Sequence, residues 1–293
     1  MNHPSSIPGS IPCSSPQWTD GYLDPAVGKQ FAPVGPIQVL EQLNELRALG
    51  TYHLVLAHDV AEQPERFRKL FCNTHTAHTI IIDNSVIELG FPITLREMSE
   101  AVRALHNGHN QLYAVYPDIL MDAKSTVQEI VKCAKEWASL RNDFHGVRFC
   151  AIPQGSTKEE FFKCAEDILK QVPDAVDLWG IAKNFVDGGL SPTRWEAVKT
   201  VEMVSQIYGK RRIPMHLFGF TNNLFDDMIV ARESIVKGID SAVPLHMADK
   251  GLEISFGMKG HPARGDFWKT TKDVDIKMVR NIEFIRRALI KYD

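Results

Sequence analysis

One feature constrains this chain above all others: from about residue 36 onward, short apolar, β-branched runs alternate with longer stretches of helical period. The runs fall at 52–57, 79–82, 112–116, 147–152, 176–181, 215–220 and 239–243, with a weaker one at 252–256. They are continuous in apolar character, as strands buried on both faces must be. Between them lie helix-start signals. Thr94 with Glu97, Ser125 with Gln128 and Ser156 with Glu159 each fit a capping box. Ser191 followed by Pro192 gives an N-cap with proline at the first helical position, and Gly209 closes that helix. Further helices are predicted over 223–236 and 274–290, while 41–49 leads into the first strand and closes the bottom of the barrel. Seven or eight such repeats predict a parallel α/β fold, a (β/α)8 TIM-type barrel. The alternative is a doubly wound open sheet, but no Gly-x-Gly-x-x-Gly follows any strand.

The 293 residues allow one or two domains. Residues 1–30 are rich in Ser and Pro (Pro4, Pro8, Pro12, Pro16) and carry too little apolar surface to offset their ordering entropy. A flexible tail is therefore expected there, with 31–293 forming a single catalytic domain. No apolar run approaches the ~20 residues of a membrane helix, and the N-terminus lacks a secretory pattern. The five cysteines are irregularly spaced without a CxxC pair, which suits a reducing, cytoplasmic setting. A net charge of −3 does not announce a nucleic-acid binder.

In a (β/α)8 barrel the active site lies at the C-terminal strand ends. Those ends read Asp83-Asn84-Ser85, Tyr116-Pro117-Asp118, Pro153-Gln154-Gly155, Gly180-Ile181-Ala182-Lys183, Phe218-Gly219 and Gly238-Ile239-Asp240. Three carboxylates, an amide and a lysine thus converge on one mouth. Opposed carboxylates suit displacement at an acetal-like carbon, one attacking while the other manages the leaving group's proton. The competing explanation is helix capping, which accounts for any single strand-end Asp better than for the set.

Asp83-Asn84-Ser85, Tyr116-Pro117-Asp118, Ile152-Pro153-Gln154-Gly155, His216-Leu217-Phe218-Gly219 and Gly238-Ile239-Asp240-Ser241-Ala242-Val243-Pro244 resemble, in order, signature segments of the tRNA-guanine transglycosylases. The resemblance is closer to the compact phage and bacterial relatives that insert 7-deazaguanine bases into DNA, and it covers roughly 50–250. It implies exchange of guanine in DNA for a 7-deazaguanine such as 7-cyano-7-deazaguanine, through a covalent aspartyl intermediate. By this resemblance Asp240 is the nucleophile at C1′ and Asp83 the general acid and base. Asp118 and Gln154 read the purine edge, Gly180 makes a backbone contact to the base, and Ser85 and Lys183 complete the substrate contacts. Neither metal nor other cofactor is implied. The family's structural zinc site has no counterpart, since no cysteine follows Cys164. That loss favours DNA over tRNA as partner. A homodimer or companion DNA-modifying proteins are further expected partners, and a tRNA-guanine transglycosylase remains an alternative.

Lys250, Lys259, His261 and Arg264 follow the last strands among several glycines and Trp268. Loops there often bind phosphate in this fold, so Lys250, Lys259 and Arg264 are the expected nucleic-acid contacts. Lys210-Arg211-Arg212 lies in a helix-to-strand loop and reads as a solvated turn at the barrel bottom. The pairs His75 with His78 and His106 with His109 lack carboxylate or thiolate companions and read as surface. Cys133 and Cys164 fall on apolar helix faces and read as core. Two other classes remain. One is an unrelated barrel lyase or isomerase, an aldolase for instance, with Lys183 as Schiff-base candidate. The other is a non-catalytic binding subunit, disfavoured because Asp240 and Asp83 are both present.

Overall fold

The computed structural model describes residues 29–73, 77–183, 193–210, 213–221, 223–255, 258 and 273–290. Eight strands are present: β1 (Gln30–Pro33), β2 (Tyr52–Leu56), β3 (Thr79–Asp83), β4 (Gln111–Val115), β5 (Val147–Ala151), β6 (Leu178–Ala182), β7 (Met215–Phe218) and β8 (Val236–Ser241). All pair in parallel, in the order β1-β8-β7-β6-β5-β4-β3-β2. The two ends of this sheet, β1 and β2, lie against each other and bring the barrel nearly to closure. The chain is a (β/α)8 barrel.

Seven strands stand close to where the apolar runs predict them. The exception is the eighth. Residues 252–255 form no strand, and Phe256 lies outside the described residues. The missing position is taken by β1, whose register runs from Gln30 opposite Gly238 to Pro33 opposite Ser241. Only four residues long, it opens at the end of the Ser/Pro-rich segment and finishes on a proline, which a strand tolerates at its end. Neither its length nor its flank announces a strand.

Strand alternation divides the core in two. Ala32, Leu54, Leu56, Ile81, Tyr113, Val115, Cys150 and Ile152 fill the barrel interior. Their neighbours Val55, Ile80, Ile82, Ala114, Phe149 and Ala151 pack outward beneath the helices. Cys133 and Cys164 are buried in the outer layer, as expected of apolar helix faces. Thr94 and Glu97 form the expected capping box before Leu95–Leu105. Elsewhere the caps are shifted: Asp122 caps Ala123–Glu136, Thr157 caps Lys158–Gln171, and Thr193 with Glu196 boxes Arg194–Ile207. Ser191 and Pro192 lie outside the described residues, as do His75, Arg211, Arg212 and residues 1–28. His78 is not on the surface; it is buried and its Nδ1 stands 3.0 Å from His53 Nε2. No described helix is long and apolar enough to cross a membrane.

Candidate active site

The strand ends bring Asp83, Asp118, Gln154, Lys183 and Asp240 to one mouth of the barrel, each just at or beyond the last residues of its strand. Asp83 closes β3. Burial, reinforced by Glu88, Asp118 and Asp240 nearby, pushes its carboxyl well above the usual carboxylate range. A single backbone donor, the N–H of Ser85 at 3.2 Å, pulls the other way. Ser85 itself takes a left-handed conformation (φ 60°), and its buried hydroxyl has no hydrogen-bond partner among the described residues. Asp83 therefore holds its proton to higher pH than an ordinary carboxyl does.

Asp118 is fully enclosed. It accepts from Asn84 Nδ2 at 2.6 Å and from Gln154 Nε2 at 2.5 Å. Burial outweighs these bonds and the carboxyl is pushed up to about 6. Gln154 spends its other end on the Met121 N–H at 3.2 Å, and Asn84 donates also to the Tyr116 carbonyl. Asn84, Asp118 and Gln154 form an amide–carboxyl–amide wall tied to the backbone at both ends. Gly180 sits inside β6 with Phe218 and Ile152 against it; a Cβ there would stand 2.6 Å from the Phe218 ring.

On the opposite side, Asp240 Oδ1 accepts from His216 Nε2 at 2.9 Å and from the Gly219 N–H at 3.1 Å. His216 is buried, and its Nδ1 lies 2.6 Å from the Tyr52 hydroxyl. Burial holds the imidazole down, against the pull of Asp240, and holds the Tyr52 phenol well above its ordinary value. The arrangement that satisfies all three groups is a neutral ring donating from Nε2 to Asp240 and accepting the Tyr52 O–H at Nδ1. Tyr52 itself lies against Gly238, where a Cβ would come within 2.7 Å of its ring.

Lys183 follows β6, half-buried, with its side chain laid along Gly219. A Cβ at Gly219 would stand 2.8 Å from Lys183 Cδ and 3.5 Å from Nζ, and φ there is +66°. Only glycine suits that backbone and that neighbour together. Gly219 thus joins the lysine, through space, to the carboxylate of Asp240, through its N–H. The loop is fixed from behind by Arg194, which donates to the carbonyls of Ile181, Phe218 and Gly219 and pairs with Asp227 at 3.2 Å. Asp227 in turn accepts from the Thr221 N–H and hydroxyl. Both members of the ion pair are buried.

Sequence reasoning brings together Asp83, Asp118, Gln154, Lys183 and Asp240, and the structure places them as one cluster. It misses the roles of Tyr52, His216, Asn84, Arg194 and Asp227. A histidine inside the apolar run Met215-His216-Leu217-Phe218 was the available signal for one of them. Lys250 is exposed at the end of the helix Val243–Asp249. Lys259 and Arg264 lie outside the described residues.

No family model and no curated protein matches the chain. Among solved structures, an HpcH/HpaI aldolase/citrate lyase family protein from Burkholderia cenocepacia is 11% identical, with a TM-score of 0.45, over 73% of this chain and 88% of that one. An HMG-CoA lyase from Acinetobacter baumannii is 12% identical, TM-score 0.48, over 75% and 76%. A Proteus mirabilis N-acetylneuraminate lyase is 9% identical, TM-score 0.36, over 78% and 74%. At these identities and TM-scores the likenesses carry no argument about what this chain does. The expected transglycosylase resemblance is not upheld: no family model or curated protein matches, and the neighbours named are an aldolase-family protein and lyases, not transglycosylases. Guanine exchange, the 7-deazaguanine base, and the nucleophile and base-reading roles implied for Asp240, Asp83, Asp118, Gln154 and Gly180 rested on it and are withdrawn. So are the DNA partner and its expected companions.

Proposed function

We propose that the chain is an enzyme, a lyase that makes and breaks a carbon–carbon bond beside a carbonyl group, with Lys183 forming a Schiff base to its substrate. The observation that carries this reading is the meeting of Lys183 and Asp240 at Gly219, a glycine on which both depend. Among the described residues Lys183 is the amine at the C-terminal strand ends, and Asp83 supplies a carboxyl disposed to hold a proton.

The chemistry follows from these groups. The Lys183 Nζ lone pair adds to the substrate carbonyl. Asp83 gives its proton to the departing hydroxyl, and water leaves as the iminium forms. The iminium then accepts the electron pair of the adjacent carbon–carbon bond. As that bond breaks, the β-hydroxyl proton passes to the carboxylate of Asp240 and an aldehyde is released. The resulting enamine takes that proton from Asp240 at carbon, and water then adds to the iminium, frees the ketone and the amine, and returns a proton to Asp83. The Tyr52–His216 pair holds Asp240 in place throughout.

Borohydride reduction in the presence of pyruvate or dihydroxyacetone tests the reading. It is expected to add the reduced carbonyl fragment to the peptide bearing Lys183, and Lys183→Arg is expected to show none. Failure of every small 2-keto acid and ketose tried to leave an adduct on Lys183 would overturn it.

A further inference from the structure

A second concavity lies away from the barrel mouth. A cavity of about 1100 Å³ opens on the outer flank between the helices Ala123–Glu136, Lys158–Gln171 and Arg194–Ile207. Its floor is apolar, with Val127, Val131, Phe162 and Met203 contributing from all three helices. Met203 is nearly half exposed.

The walls differ in charge. On Lys158–Gln171, Lys163 pairs with Glu166 and Asp167, and Lys158 reaches Glu196 on the third helix. Those charges are satisfied within the protein. On Ala123–Glu136, Lys124, Lys132 and Lys135 are all exposed and all line the groove. Lys132 makes one long contact with Glu129 at 3.5 Å, and no ion pair holds Lys124 or Lys135 among the described residues. The first and last of these positions lie 11 residues apart, about 16 Å of helix at 1.5 Å per residue. Glu159 and Glu160 also line the cavity, at the first turn of Lys158–Gln171, so the groove is an apolar trough with acidic groups at one end of that wall and a cationic edge some three turns long on Ala123–Glu136. Its lining follows 123–135 on one helix and 158–171 on the next, a length that suits a helical segment better than a compact metabolite.

We infer that this groove is a docking surface for an amphipathic helical segment of a partner protein, with an apolar stripe on the floor and an acidic flank along Lys124, Lys132 and Lys135. Apolar burial supplies the attraction, and the lysine edge sets the direction in which the segment lies.

The test uses two labelled peptides of about four helical turns, alike in a leucine stripe and differing in flank, one glutamate and one lysine. Fluorescence anisotropy is expected to show the glutamate peptide binding about tenfold tighter than the lysine peptide, with the difference shrinking as salt rises from about 50 to about 300 mM. Joint replacement Lys124→Glu, Lys132→Glu and Lys135→Glu touches only exposed positions and is expected to reverse the preference. Met203→Glu is expected to weaken both peptides. Equal binding of the two peptides, binding of neither, or a preference that survives the triple reversal overturns the inference. Displacement of the glutamate peptide by anionic phosphatidylglycerol vesicles also overturns it, in favour of a membrane surface.

Discussion

Asp83 and Asp240 are the same side chain at equivalent strand ends, yet their neighbours give them opposite work. Asp240 accepts two N–H bonds, one from a histidine whose far nitrogen is itself held by Tyr52. Asp83 is raised by burial and then by three carboxyl neighbours, against which its single backbone donor pulls only the other way. The step that needs its proton is loss of water from the first adduct on Lys183. Protonated Asp83 prevails below its raised pKa and is lost as pH climbs through it. The rate at which pyruvate becomes reducible onto Lys183 should therefore fall on the alkaline side of that value. Asp83→Asn should slow trapping by about two orders of magnitude and abolish this break, as followed by mass spectrometry of the Lys183 peptide across pH. A variant with an unchanged profile would remove Asp83 from the step. Asp83, Asp118 and Asp240 are legible in sequence because each interrupts or ends an apolar run. Tyr52 and Arg194 are not, because a phenol in a strand and an arginine in a helix are ordinary until their partners are known.

At the scale of elements, the ends of β6 and β7 are held in register by one guanidinium. Arg194 reaches from the first turn of its helix to three carbonyls and to Asp227, and both charged side chains are buried. Arg194→Met would leave Asp227 charged and buried with only the Thr221 donors. Loss of one partner of such a pair costs about 3–5 kcal/mol, and urea denaturation should show it. Asp227→Asn in the same chain should recover part of that loss, since it removes the stranded charge. A single variant as stable as the parent would mean the pair does not hold these strands. The helices themselves are announced by their apolar faces, but their starts are not always. Several Ser/Thr/Asp residues compete near each start, and the one whose side chain meets the N3 amide wins, as Thr157 does over Ser156. Strand β1 is hidden for a different reason. Its pairing with β8 is long-range, and four residues carry too little pattern to betray it.

For the whole molecule, parallel topology is legible because every strand but the first answers to an apolar run, and only a sheet covered on both faces can use seven of them. The cost of placing function in such a barrel is charge held in its interior. Asp118 shows the sign of that cost. Its carboxyl lies at about 6 in the folded protein against 3.8 ordinarily, with burial as the cause. A folded-state pKa above the unfolded one means that the native state binds the proton more tightly. The stability this provides is complete below about pH 4 and is lost as pH rises through about 6. The shift corresponds to about 3 kcal/mol. Asp118→Asn has no proton to lose, so its urea-derived stability should fall less steeply than the parent's between pH 4 and 7. The two curves should converge or cross as the parent ionises. In the variant the new amide nitrogen faces one of the two donors, Asn84 or Gln154, and that bond is lost at every pH; this lowers the variant's curve without tilting it, so the slope reports the charge. Parallel curves across this range would show that Asp118 titrates at an ordinary value, and that the amide wall solvates its charge as well as water does.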